Sequence, residues 1–595
     1  MFFEQRQSNS GSASDVSQNS EIPKKNGSFL SDTDRDVVGA VSNSPPLASR
    51  FDRASLQKEK QECVPKYFQF EKLQSDLAEA KNNVLHRIEG LAGKEQSVNS
   101  QSESRYFYSL IDAIDDCANR IKNFANKPIQ EVFDVAYVAR DIVKIVFSEI
   151  SAAQGEELLQ QTRKESLKDI SVFPIDQELI DGLARLLYNS GKTKSGDTVV
   201  LGGTKDNFQV VLALARLCEQ NGVRYFVDIR NDPLKAELIK NASEEGLKRL
   251  SFEEDDFFAR ERGVTKTLSA WSNMKINIKT DEEKVRYERF LHYQSATHDR
   301  FISGEIYSVH TRIPTPEDSV VDDIAYDKYL ALYFESCDQP WEKIQDAQQE
   351  LVEFLKGKKE IHIESANGTN LTLNIEGFDF VNSAIDHNIP GSEIFSAPKI
   401  DSAQGTFVSN WISKYRRYAP VKDIHLAFQN GQVSEFSASE GQDTLAAILS
   451  IDDSADGGKQ GGARRLGEIG FGTNPHLKNL GRNYANISLS EKIGGSAHVA
   501  IGFSYKRTEY EGKPVHLDNG NESSIHWDIV SMLNEQGSKI VVDGITLQEN
   551  GQWKEVPGVS EQSVRLLNEG WGALPSAEQP EWWKKGYSQG YAIPF

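Results

Sequence analysis

The sequence predicts a mixed α/β protein: an α/β region followed by a β-rich one, with a helical extension in front. Three observations predict it. From about 177 a helical stretch, QELIDGLARLLYNS, gives way to the apolar run TVVLGG, then to NFQVVLALARLCEQNG and to VRYFVDI. That alternation is solved economically by a parallel sheet with flanking helices over about 177–310. Beyond 359 the short alternating segments KEIHIES, NLTLNI and DIHLAF read as strands. Between about 66 and 170 apolar residues recur at helical spacing instead.

In chain order, residues 1–62 are rich in Ser, Asn, Asp and Gln and poor in large apolar groups. They cannot bury enough surface to offset the entropy of ordering, so a disordered head is expected. Residues 63–175 form the helical extension, with one stripe through Leu73, Leu77, Val84, Ile88 and Leu91 and another through Val132, Val135, Tyr137, Val138, Ile142, Ile145 and Val146. A bundle of three or four helices accounts for both stripes. The α/β region is assigned to 176–340 and the β-rich region to 341–555, where Asn430-Gly431 marks a hairpin turn. Residues 556–595, with Trp571, Trp582, Trp583 and several prolines, read as an irregular tail that packs aromatics onto a surface.

At 595 residues the chain exceeds one ordinary core. A formal net charge of -21 makes nucleic acid an unsuitable partner. No stretch approaches the run of about 20 apolar residues a membrane helix requires, so no membrane is expected. The N-terminus lacks a basic start followed by an apolar core, which makes a cytoplasmic site the default, with non-classical export through the polar head as the alternative. Cys63, Cys117, Cys218 and Cys337 are widely scattered without a CxxC pair, as expected of reduced, structural cysteines.

SGKT at 190–193 has the ending of a phosphate loop, but Leu186 stands where the loop needs Gly, and the segment leaves a helix to enter a strand, the reverse of the required order. A plain connecting loop is expected there. GGKQGGARR, from Gly457 to Arg465, reads as a flexible connection. More informative are five potential metal ligands in the second half: Glu393, Glu468, His498, His526 and Asp528. Glu393 lies in NIPGSEIFSAP, where two prolines and a glycine stiffen the loop. Glu468 is surrounded by Gly467, Gly470 and Gly472, which allow backbone close to a compact site. His526 and Asp528, two apart, share one face if extended. His498 alone is ambiguous, since an imidazole in an apolar strand also serves as a hydrogen-bonded core residue. Together the five suffice for two divalent ions, which activate a shared water and polarise a carbonyl, so hydrolysis is the first reaction to consider.

NIPGSEIFSAP, GARRLGEIGFGTN, EKIGGSAHVAIGFSY and NESSIHWDIV resemble the four blocks of the M29 metallo-aminopeptidases, the aminopeptidase T group, over about 177–553. The resemblance implies that Glu393, Glu468, His498, His526 and Asp528 ligate two divalent ions, Zn²⁺, Co²⁺ or Mn²⁺, with Glu468 bridging. It implies that Tyr505, seven residues after His498, donates to the oxyanion. It also implies a homodimer enclosing a chamber, and peptides with a free N-terminus as substrates. Lys492 and Arg464 or Arg465 are further candidates for the site. The alternative is a catalytically silent hydrolase scaffold that acts as a binding protein, with the helical extension recruiting its partner.

Overall fold

The computed structural model describes residues 70–91, 98–123, 129–164, 173 and 175–584, apart from 273–282, 284, 285, 288, 291, 292, 303, 411, 416, 417, 454–461, 481–483, 485, 507, 511 and 512. The expected disordered head, Cys63 and most of the glycine-rich connection at 457–465 lie outside the described residues.

Four helices come first, α1 (Phe70–Leu91), α2 (Val98–Lys122), α3 (Ile129–Phe147) and α4 (Ala152–Lys164). Each turns an apolar stripe inward. In α1 the buried positions Phe70, Leu73, Leu77, Ala80 and Val84 follow the three-four spacing of one helix face. These helices dock beside β2 (Arg224–Arg230), which follows β1 (Thr198–Thr204) and precedes β3 (Lys266–Ser272) and β4 (Tyr307–Ile313). The four strands and the short strand Asn388–Ile389 form one parallel sheet in the order β2-β1-β3-β4-(388–389), so β2 is an edge.

Polar contacts fix that docking. Arg140 Nη1 of α3 donates to the Val227 carbonyl at 2.9 Å, and Asn231 Nδ2 donates to Asp141 Oδ2 at 2.8 Å. Burial lowers the Arg140 pKa, and Asp228, Asp76 and Asp141 offset part of that cost. The helix Glu244–Asp255 approaches so closely that a Cβ on Gly246 would lie 2.1 Å from the Ser148 carbonyl oxygen. One contiguous apolar core runs from Phe70 in α1 to Trp582 near the C-terminus.

SGKT is a connecting loop: the helix Gln177–Ser190 ends before Gly191 and β1 begins at Thr198. Beyond the helix Trp341–Leu355 two further large sheets appear. An eight-stranded antiparallel sheet includes Glu360–Glu364, Asn370–Asn374 and the hairpin His425–Gln429/Gln432–Ser437. At its turn Asn430 and Gly431 both have positive φ, 52° and 75°, as a type I′ turn needs. The other sheet has five antiparallel strands: β5 (Val381–Ser383), β6 (Glu393–Ser396), β7 (Leu466–Gly472), β8 (Ser496–Gly502) and β9 (His526–Met532), in the order β9-β8-β7-β6-β5. All residues of β6 to β9 are buried, so this sheet is covered on both faces.

The expected irregular tail is partly helical. Ser560 accepts from the Ser563 amide and caps the helix Glu561–Glu569; a 3₁₀ turn, Gly570–Ala573, and a short helix, Glu581–Lys584, follow. Nine residues are too few for the apolar period to stand out in the sequence. Trp571 and Trp582 anchor the tail, donating to the main-chain and side-chain oxygens of Asp338, each at 2.6 Å. Cys117, Cys218 and Cys337 are buried and none of them is in a disulfide. No helix among the described residues is long and apolar enough to cross a membrane.

Candidate metal centre

The middle of the five-stranded sheet carries small residues where its strands face the site. In register, Gly470 of β7 lies between Phe395 of β6 and His498 of β8, and Gly472 opposes Glu393. On the other side Ala500 opposes Asp528 and Gly502 opposes His526. Side chains from neighbouring strands can therefore lean across a bare floor. The requirement is strict at Gly470, where a Cβ would lie 2.2 Å from His498 Nε2. A register shift between Leu466 and Glu468 re-aims the start of β7, the usual effect of a bulge.

Onto this floor β6 brings Glu393, β7 Glu468, β8 His498 and β9 both His526 and Asp528. They form two triads that share one member: Glu393, Glu468 and His498, and Glu468, His526 and Asp528, each with donor atoms within 4.8 Å of one another. His498 Nε2 lies 3.2 Å from Glu468 Oε1 and 3.5 Å from Glu393 Oε2. His526 Nε2 lies 3.3 Å from Glu468 Oε2 and 3.6 Å from Asp528 Oδ1. Glu468 thus turns one oxygen toward each imidazole. All five residues are at most 8 % exposed, so little water reaches them.

The charges explain the protonation. Burial opposes ionisation of Glu468, but the two imidazoles overcome it and hold the carboxyl down at about 2. Burial likewise opposes charge on the imidazoles, yet Glu468 and Glu393 push His498 up to about 9, and Glu468 and Asp528 push His526 up to about 9. Asp528 rises to about 7 through burial and the Glu491 carboxylate. Glu393 is raised by burial, against the pull of Lys492. Protons on the two imidazoles here stand in for cations.

The donor set fits divalent ions. His526 Nδ1 lies 2.7 Å from the Phe503 carbonyl oxygen, which can only accept, so that nitrogen carries a proton. Nε2 is left facing Glu468 and Asp528 and, among the described residues, makes no hydrogen bond despite its burial. A ring oriented by a carbonyl on one nitrogen and open at the other is the arrangement of a metal-ligating histidine. Buried carboxylates in excess over fixed cations supply the charge that retains such ions.

All five residues singled out from the sequence converge here. Tyr505 lies alongside, its ring centroid 4.8 Å from that of His526 and 5.9 Å from that of Phe395. Burial, together with Glu468 and Asp528, raises its pKa, so the phenol keeps its proton. Lys492 also reaches the centre, ion-paired with Glu393 and, at 3.1 Å, with Glu491. The arginines do not. Arg464 lies 3.8 Å from Asp453 and over the Phe436 ring, while Arg465 donates to the Ile400 carbonyl at 3.3 Å.

Sequence reasoning missed Glu491 and a buried network behind Glu393. Gln348 Nε2 donates to Thr473 Oγ1 at 2.7 Å and to Ser392 Oγ at 3.2 Å, and the two hydroxyls share a 2.7 Å hydrogen bond. Ser392 sits at φ 104°, a backbone conformation that persists only where its surroundings impose it. The one sequence signal was Glu491 itself, directly before Lys492; Gln348 lies on a remote helix and gives none.

Comparison with known proteins gives the family. Aminopeptidase 2 of Geobacillus stearothermophilus is 30 % identical over 177 residues, covering 27 % of this chain and 36 % of that protein. Aminopeptidase AmpS of Bacillus subtilis (strain 168) is 26 % identical over 208 residues, covering 32 % and 48 %. The chain therefore spans less than half the length of these relatives. Wild-type AmpT from Thermus thermophilus has the same fold over 64 % of this chain and all of its own, with a TM-score of 0.50 at 19 % identity. The model of a family described as thermophilic metalloprotease (M29) matches residues 176–553, the stretch that contains every strand of the centre, and the chain belongs to that family.

Proposed function

We propose that this protein is a metal-dependent aminopeptidase that hydrolyses the first peptide bond of peptides with a free N-terminus. The observation that carries the reading is the pair of donor triads meeting at Glu468 within a metalloprotease family. In this reading Glu393, His498 and Glu468 hold one divalent ion and His526, Asp528 and Glu468 hold the other. Two imidazoles and three carboxylates suit Zn²⁺, Co²⁺ or Mn²⁺. Bound there, the ions supply Lewis acidity that polarises the carbonyl and brings the pKa of water toward neutrality.

The chain's own groups do the rest. Glu491, a buried carboxylate beside the centre that is not one of the five donors, is placed to favour a cationic substrate end, which a free amine is and an acetylated one is not. Tyr505 keeps its proton and so can donate to the oxygen on which charge develops. Lys492 bonds both Glu393 and Glu491 and holds the two carboxylates together against their repulsion. A homodimer and a cytoplasmic site belong to the same reading, and sedimentation velocity tests the first. The central experiment follows amino-acid release from free and N-acetylated peptides, with metal stripped and with Zn²⁺, Co²⁺ or Mn²⁺ restored. Stepwise release that requires both a free amine and metal is expected. Absence of release with two ions bound per chain would turn the reading to a binding scaffold.

A further inference from the structure

The carboxyl ends of the parallel strands hold a cation, Arg312, that has no bonded anion among the described residues. Exposure alternates along β4 so that Ser308, His310 and Arg312 share its half-buried face. Arg312 is in register with Trp271 of β3, and the two side chains emerge together near the carboxyl end of the sheet. That end is where open α/β sheets take their ligands. The neighbouring Arg230 is satisfied: it lies over the Trp271 ring at 4.5 Å and pairs with Asp228 at 2.7 Å. Arg312 is not. Asn486 Nδ2 donates to its main-chain carbonyl at 2.8 Å, but among the described residues its guanidinium makes no hydrogen bond or ion pair. Glu491 and Asp318 act on it through charge without bonding it, and burial lowers its pKa.

A half-buried guanidinium with no protein anion bonded to it among the described residues is open to an anionic ligand. Arg312 is half-buried, and the Asn486 hydrogen bond ties its strand to the segment that leads to Glu491. The link is Glu491, whose carboxylate lies 3.1 Å from Lys492, itself bonded to Glu393, and whose charge also reaches Asp528 and Tyr505. A planar fork of donors suits a carboxylate in particular.

We propose that Arg312 forms an anion subsite of the metal cleft and binds a carboxylate of the substrate, at the end away from the amine. This rests on the peptide reading of the centre. The carboxylate has two sources: the free C-terminus of a short peptide, or an acidic side chain near the scissile bond.

The test is direct binding to the metal-loaded full chain, by calorimetry, of dipeptide isosteres whose peptide carbonyl is reduced to methylene. Leu-Leu is used as the free acid and as the amide, and Leu-Asp as the amide. The wild type is expected to bind one carboxylate form at least about tenfold more tightly than Leu-Leu amide. Leu-Leu acid identifies the C-terminus and Leu-Asp amide the side chain. Arg312→Met should abolish the difference and Arg312→Lys should retain part of it, with both variants checked for native circular dichroism. Equal binding of all three forms by the wild type, binding of none, or a preference that survives in Arg312→Met would overturn the subsite. Because the isosteres are not turned over, a protein that releases no amino acids yet shows an Arg312-dependent preference would sink the aminopeptidase reading and leave the anion site standing.

Discussion

At the scale of single residues, Glu468 is the member both triads need, whereas Glu393 and Asp528 each serve one. Glu468→Gln changes charge with little change in volume, so it should abolish turnover and the retention of both ions while leaving circular dichroism unchanged. Two ions retained after gel filtration would remove the bridging assignment. Tyr505→Phe deletes one donor and should lower kcat by about 100-fold with a smaller change in KM. An unchanged kcat would return Tyr505 to packing. The pKa values set a pH dependence as well. His498 and His526 are raised from 6.5 to about 9, so in metal-free protein their contribution to stability is complete below 6.5 and lost as pH rises through 9. Metal must displace those protons. Uptake near pH 6 should release about two protons or more per chain and uptake at pH 10 almost none, which titration in buffers of differing ionisation enthalpy will measure.

At the scale of elements, the centre depends on how closely four strands can carry large donors over small floor residues. Gly470→Ala places a methyl where the His498 ring lies, and the strand pairing around it leaves no room to yield. Metal affinity should fall by at least tenfold, and the metal-free protein should also lose about 1–3 kcal/mol of stability through over-packing; retained affinity would show that the ring can move. Gln348→Leu removes the amide donor from the buried Ser392 and Thr473 hydroxyls, leaving them their bond to each other, and should cost about 1–3 kcal/mol in denaturant unfolding. The contrast between these two positions shows what the sequence discloses. The donors were legible because each lies in a short local motif of its own, with glycines around Glu468, and the 430–431 turn was legible because its dihedrals demand its residues. The faces of β7, β8 and β9 were not, because strands buried on both sides have no polar alternation to mark which way a side chain points. Arg464 and Arg465 take structural roles away from the centre for a related reason: nearness in sequence to Glu468 says nothing of direction once the strand begins between them. Arg312 and Gln348 come from other elements, and only the fold brings them near.

At the scale of the whole molecule, α1 to α4 are part of the structural body: they cover the edge strand β2 through Arg140 and Asn231 and share its apolar core. Deleting residues 1–164 should therefore leave an exposed strand edge and an uncovered apolar surface, read as aggregation or lost soluble yield. A monodisperse, metal-binding product would show that the covering is dispensable. The arrangement of the centre has a consequence at this same scale. Its donors come from four strands, scattered from Glu393 to Asp528, and are brought together only by completed antiparallel pairing. Ions held by them would act as clasps, formed last and undone by a chelator, that close the loops between those strands. Metal supply would then govern the lifetime of the protein against proteases as well as its chemistry, and a metal-starved chain would be cleared sooner than a loaded one.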